Sequence, residues 1–166
     1  ETLGRQLNAA LLRAAEEKER RLALEREARS KAEAEAKDLA RYRSEFFGQL
    51  SQILSGREGV KVVGDRFVFQ SEILFPPGEA SLSPAGRAQI AGVVRMLGDI
   101  ADKIPPEIDW MIRVDGHTDS TPLSGTGRYR DNWELSQARA LSVVKYMVNF
   151  LGIAPDRLAA NGFGQY

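Results

Sequence analysis

The first 54 residues carry a pattern of charged residues and alanine that predicts one long helix. The segment AAEEKERRLALEREARSKAEAEAKDLARYRSE consists mostly of strong helix formers and contains no proline. Charges of opposite sign recur four positions apart, as in Glu16 with Arg20 and Glu33 with Lys37, and such pairs stabilise an exposed helix. We therefore expect residues 1–54 to form a helical stalk.

Large apolar residues are sparse in the first half of this stalk and form a seam in the second half. The seam consists of Ala32, Ala36, Leu39, Phe46, Leu50 and Ile53. Spacings of three, four or seven are typical of a weak coiled coil, here one whose lower end docks on the following domain. The alternative is a single solvated helix that pairs with nothing. A coiled coil is the favoured interpretation.

From residue 55 onward the pattern changes to short apolar runs separated by turn residues. VKVVGDRFVF alternates around Gly64-Asp65, which predicts a β-hairpin, and SEILFPPG predicts a short strand that ends at two prolines. Ser83 is placed to cap a helix that has Pro84 at its first position. The hairpin, the short strand and this helix are the first half of an expected domain of residues 55–166.

The second half of that domain repeats the alternation of strand and helix. The expected elements are a strand at 108–114, a Gly/Ser-rich loop, a helix that contains Leu135 and Met147, and a last strand at 157–163. Strands that alternate with amphipathic helices predict an α+β fold, in the form of a βαβαβ sandwich with helices on one face of a mixed sheet. The chain is thus predicted as a helical stalk followed by one such domain.

Composition narrows the classes of function. The 166 residues contain 23 Lys and Arg against 23 Asp and Glu, so the net charge is zero, and this disfavours a nucleic-acid partner. The absence of cysteine excludes disulfides and thiolate zinc sites. No run of about 18 apolar residues is present. Because the first residue is not Met, we expect a fragment or a processed product, with any targeting signal or anchor lying upstream.

The stretch VDGHTDST concentrates the residues that could carry chemistry. Asp115, His117 and Asp119 alternate, and His117 is the only histidine. A zinc or iron site would need a further His or Cys, and the closing Glu of a calcium loop is missing. No nucleophile elbow or phosphate-binding loop is present. We therefore expect no metal, no cofactor and no enzymatic activity, and assign Gly116 and His117 to a structural turn in which the histidine ring holds the Thr118 and Asp119 backbone.

Asp119 and Arg139 form the more informative pair. Asp119 follows the end of a central strand, where α/β sheets place ligands, and Arg139 lies in the first turns of the second helix, on the face of Asn132 and Leu135. An acid and an arginine held apart could bind a zwitterion, with Asp119 binding its ammonium group and Arg139 binding its carboxylate. The alternative is a direct buried ion pair that ties the loop to the helix. The residues by themselves leave both interpretations open.

Four segments resemble the OmpA/MotB C-terminal family of peptidoglycan-binding domains. They are LFPPGEASLSPAG, VDGHTD, NWELSQARALSVVKYMV and GIAPDRLAANGFGQY, and together they cover roughly residues 70–166. The resemblance implies a βαβαβ-type domain that binds the peptide stem of peptidoglycan without cleaving it. It also implies that Asp119 and Arg139 hold the zwitterionic end of meso-diaminopimelate. The other ligand-binding residues that it implies are Thr118, Asn132, Leu135 and the wall residue Phe75.

The insert TPLSGTGRYRDNWELS looks more like the flagellar stator MotB branch than like OmpA itself. This resemblance implies a periplasmic homodimer tethered to the inner membrane beside a proton-channel partner of the MotA, TolQ or ExbB type. The charged stalk differs from a typical MotB linker, and the chain ends before the family's usual final Asn-Arg-Arg-rich segment, so we expect a C-terminal truncation. The rival hypothesis is a structural scaffold in which the stalk mediates oligomerisation or partner binding.

Overall fold

A computed structural model describes residues 2–166, which divide into two compact units. The first unit ends at Glu45, and the second is Phe46–Tyr166. The elements in chain order are α1 (Thr2–Leu54), β1 (Val60–Val63), β2 (Arg66–Phe69), α2 (Ser71–Leu74), α3 (Pro84–Ala101), β3 (Ile112–Gly116), α4 (Asn132–Leu151), a 3-10 turn (Pro155–Arg157) and β4 (Leu158–Gly162). The α+β class and the long N-terminal helix predicted from the sequence are confirmed.

The first unit consists of α1 up to Glu45, and its apolar side chains are exposed. Leu3, Leu7 and Leu12 keep 81%, 61% and 66% of their surface accessible. An ion pair four residues apart joins Arg29 to Glu33 at 2.9 Å, as the charge pattern predicts for a solvated helix. A coiled-coil partner for this helix stays a prediction.

The last turns of α1 belong to the second unit and are buried in its core. Leu50 and Leu54 are 3% and 0% exposed and pack with Val93 and Leu97 of α3. Burying a leucine side chain contributes about 1.5–3 kcal/mol. Of the predicted seam, Leu50 and the partly buried Phe46 pack in this core, whereas Ile53 is 45% exposed, so Leu54 replaces Ile53 as the lowest contact.

The helix α3 begins at its predicted capping residue, and α4 begins at a cap that the structure identifies. The Ser83 hydroxyl accepts a hydrogen bond from the Gly86 amide at 2.9 Å and donates to the Ile73 carbonyl oxygen at 2.7 Å, so it caps α3 and ties it to α2. The Asp131 carboxylate accepts from the Glu134 amide at 2.9 Å and caps α4. Both helices contribute to one apolar cluster, which contains Leu74, Phe75, Leu82, Ile90, Val94, Val143, Met147 and Leu158.

The four strands form one antiparallel and one parallel pair. β1 pairs antiparallel with β2, with Val63 opposite Arg66 and Gly64 at φ 61° in the turn. β3 pairs in parallel with β4, with Ile112 opposite Leu158. A cavity of about 360 Å³ is lined by β2, β3 and apolar residues of α3 and α4. The expected mixture of pairing directions is present, but it is divided between two small sheets.

Two strand assignments from the sequence are corrected. SEILFPPG does not form a strand, because the Phe75 amide bonds the Ser71 carbonyl oxygen at 2.9 Å and closes one helical turn, α2. The strand predicted at 108–114 instead covers Ile112–Gly116, because the chain after Pro105 first makes a turn in which the Ile108 amide bonds the Pro105 carbonyl oxygen. Asp115 and Gly116 are consequently strand residues and not part of a turn.

Candidate functional site

A pocket of about 560 Å³ lies between α2, the loop after β3 and the first turns of α4. Every residue that the sequence predicted to bind ligand lines it. Its lining residues are Ser71, Glu72, Phe75, Pro77, Gly78, His117, Thr118, Asp119, Thr121, Leu123, Asn132, Leu135 and Arg139. The structure therefore brings together side chains that lie up to 68 positions apart in the chain.

Two glycines allow α4 to lie directly against β3 and β4. A Cβ on Gly116 would lie 2.1 Å from the Ser136 carbonyl oxygen, and a Cβ on Gly162 would lie 2.5 Å from the Gln137 amide nitrogen. Both distances are too short for a real Cβ contact, and the partner atoms cannot move aside because they belong to the backbone of α4. Gly116 thus has a packing role at the end of β3, and this close approach places the loop that begins at His117 beside Arg139.

The Asp119 loop is held by hydrogen bonds from its own backbone and from α4. The Asp119 carboxylate accepts the Thr121 amide at 2.9 Å. The Asn132 side-chain amide donates to the carbonyl oxygens of Asp119 and Thr121 at 3.3 and 3.1 Å. Asn132 is therefore a positioning residue for this loop as well as part of the pocket lining.

Arg139 is anchored on the opposite side of the pocket. Its Nε donates to the Glu79 carbonyl oxygen at 2.8 Å, and its Nη1 donates to the Ser71 hydroxyl at 2.9 Å. The guanidinium carbon lies 5.1 Å from the centre of the Phe75 ring, a cation–π contact. Burial lowers the pKa of Arg139, while the carboxylates of Asp119 and Glu72 act in the opposite direction. Arginine nevertheless stays charged in proteins, so the pocket contains a fixed, oriented cation.

No ion pair joins Asp119 to Arg139 within residues 2–166, where each of them has other hydrogen-bond partners. The direct ion pair weighed as the alternative from sequence is not what the geometry shows. The described bonds of Arg139 use Nε and Nη1 and not Nη2. An acid and an arginine that face one pocket without neutralising each other can bind the two ends of a zwitterionic group.

Thr118 and His117 fasten the loop to the end of the chain. The Thr118 amide donates to the Gly164 carbonyl oxygen at 2.8 Å. His117 Nδ1 lies 3.0 Å from the Tyr166 oxygen and carries the proton of that bond, since this oxygen can only accept, and the ring stacks on Phe163 at 5.2 Å. The ring thus anchors the loop through a residue 49 positions away, which corrects the expected bond within the turn.

The three alternating residues of the VDGHTDST stretch have separate partners. The Asp115 carboxylate pairs with Arg113 Nη2 at 2.8 Å and accepts the Asn161 amide at 3.2 Å. His117 and Asp119 make the bonds described above. Across the described chain no three His, Cys, Asp or Glu side chains are close enough together to hold a metal ion.

Sequence reasoning missed two pocket residues from α2. Ser71 binds Arg139 directly, and Glu72 adds a second carboxylate to the lining. Both lie in the segment assigned to a strand, where only Phe75 was recognised. The signal that could have identified them is the position of Ser71 and Glu72 before three apolar residues and two prolines. One helical turn satisfies this pattern as well as a strand does.

Sequence comparison relates more than half of this chain to one protein family and to several known proteins. The OmpA family matches residues 74–166, more than half of the chain. YtxE, an uncharacterised protein of Bacillus subtilis, is 34% identical over 96 residues, which are 58% of this chain and 36% of that protein. Outer membrane protein A of Serratia odorifera is 33% identical over 99 residues, which are 60% of this chain and 36% of that protein.

A solved structure shares the fold over most of the chain. The crystal structure of a MotB-like protein of Desulfovibrio vulgaris superimposes with a TM-score of 0.59 and 27% identity, over 78% of this chain and 79% of that one. The chain spans about a third of the length of the two curated relatives. The similarity therefore concerns a domain, and the activities of those longer proteins do not transfer directly.

Proposed function

Because the chain belongs to the OmpA family, we propose that its second unit is a non-enzymatic domain that anchors a cell-envelope protein to peptidoglycan. The ligand is the stem peptide, held at the zwitterionic end of its diaminopimelate residue. The observation that carries the proposal is a pocket in which Asp119 and Arg139 both face the ligand space without pairing with each other.

The contacts follow from the geometry of the pocket. The ligand ammonium binds the Asp119 carboxylate, and the ligand carboxylate binds the guanidinium of Arg139, a lining residue whose described bonds leave Nη2 unused. Leu135, 4% exposed, and Phe75, 5% exposed, supply apolar walls for the carbon chain between the charges. Thr118 and Asn132 keep the loop that carries Asp119 in place.

These contacts predict weak binding at a single pocket. Two charge-assisted hydrogen bonds contribute roughly 1.5–3 kcal/mol each. Because association costs translational and side-chain entropy, a dissociation constant in the micromolar-to-millimolar range, about −4 to −8 kcal/mol, is expected. Two copies that face a polymeric wall bind more tightly through avidity, without any additional contact.

The same proposal places the domain in the periplasm, as part of a membrane-tethered homodimer. Exposed leucines of the first unit, among them Leu3, Leu7 and Leu12, support dimerisation through α1. A proton-channel partner of the MotA, TolQ or ExbB type belongs to the same proposal. No helix among residues 2–166 is long and apolar enough to cross a membrane. The rival scaffold function rests on the same exposed leucines.

Sedimentation of the described chain with purified, insoluble peptidoglycan sacculi tests the proposal. We expect the wild type to pellet with the wall and both Asp119→Ala and Arg139→Ala to remain in solution. Arg130→Ala is a matched control, because Arg130 is 82% exposed, pairs with Glu134 and does not line the pocket. Pelleting of all four proteins alike would show that the wall is held elsewhere, and failure of the wild type to pellet would favour the scaffold function.

A further inference from the structure

Glu72 is a second acidic residue in the pocket, contributed by an element separate from the one that carries Asp119. It follows Ser71, whose hydroxyl accepts the bond from Arg139 Nη1. Its side chain lines the pocket, and its negative charge acts on Arg139 together with that of Asp119. α2 therefore contributes to the pocket a hydrogen-bond acceptor for the arginine and an acidic residue whose charge acts on the arginine.

The charge balance of the pocket follows from these residues. The ionised lining side chains are Arg139 with one positive charge and Asp119 and Glu72 with one negative charge each. These three side chains sum to one negative charge. A zwitterionic ligand end leaves this charge uncompensated, whereas a ligand end with an ammonium but no free carboxylate neutralises it. Glu72 is the residue that creates the difference, since Asp119 and Arg139 alone would sum to zero.

We propose that Glu72 is a specificity-determining residue that raises the affinity of the pocket for stem peptides whose diaminopimelate carboxylate is amidated, relative to the free acid. This rests on the proposed function. Towards the free acid Glu72 attracts the ammonium and repels the carboxylate, so the two effects largely cancel. Towards the amidated form only the attraction remains. Glu72 thus lets one pocket accept both forms of the wall.

Calorimetric titration with two synthetic peptides tests the inference. The peptides are L-Ala-γ-D-Glu-meso-diaminopimelate and the same tripeptide in which the carboxylate at the zwitterionic end of diaminopimelate is amidated. Wild type, Glu72→Gln and Glu107→Gln are compared at low salt. Glu107 is a matched control, because it is an exposed glutamate that does not line the pocket.

We expect Glu72→Gln to shift the affinity ratio of amidated to free-acid peptide by about two- to fivefold towards the free acid, the size expected for one exposed charge pair. The shift decreases at high salt, because salt screens exposed charges. An unchanged ratio in Glu72→Gln, or an equal shift in Glu107→Gln, overturns this inference and leaves the proposed function intact. A wild type that binds neither peptide refutes the proposed function and this inference with it.

Discussion

Replacing Gly116 with alanine tests whether the contact between β3 and α4 builds the pocket. The added Cβ would lie 2.1 Å from the Ser136 carbonyl oxygen, 3.0 Å from its carbonyl carbon and 3.3 Å from the Ala140 Cβ. A backbone oxygen inside α4 cannot rotate away as a flexible side chain can. The strand and the helix therefore have to separate by about 1 Å to restore an ordinary contact distance.

Overpacking of this kind usually lowers the free energy of unfolding by about 1–3 kcal/mol and occasionally by more. We expect the upper end of this range, because neither partner atom can move aside. With a urea m-value of about 1–3 kcal/mol/M, a loss of about 3 kcal/mol lowers the midpoint of urea unfolding by about 1–3 M. Peptidoglycan binding weakens as well, since the Asp119 loop follows Gly116 directly and Arg139 lies in the turn after Ser136.

Gly98→Ala is the matched control, because a Cβ there meets no atom within 4 Å and Gly98 lies inside α3. Alanine in a helix interior is more stable than glycine by about 0.5–1 kcal/mol. The control is therefore expected to unfold at a slightly higher urea concentration than the wild type. An unfolding midpoint of Gly116→Ala equal to that of the wild type would refute the steric argument.

Two further predictions concern the core and a helix cap. Leu54→Ala should lower the free energy of unfolding of the second unit by about 2–5 kcal/mol in urea, because Leu54 is fully buried. Leu12→Ala, in the exposed part of α1, should change stability little. Equal effects of the two substitutions would contradict the docking of α1. Asp131→Ala should cost about 0.5–2 kcal/mol in thermal or urea unfolding through loss of the α4 cap. The fully exposed Asp109 provides the comparison, and an Asp131 variant no less stable than Asp109→Ala would argue against the cap.

The helices were predictable from sequence because their signals are local. Ser83 with Pro84 determines the start of α3, and Gly152 at φ 74° ends α4 as glycine commonly does. The strands were less predictable. The backbone bond that closes α2 competes with an extended conformation of nearly equal local preference, and packing against α3 through the Ser83 hydroxyl favours the helical turn.

The candidate site was likewise predictable from the sequence only in part. The types and order of Asp119 and Arg139, and the family resemblance around them, come from the sequence alone. The tertiary structure decided that these two side chains face one pocket without pairing, because Ser71 and the Glu79 backbone bind the arginine and Asn132 holds the Asp119 loop. It also placed Glu72 there. Contacts across 68 and 60 positions depend on how the elements pack, and no local pattern encodes them.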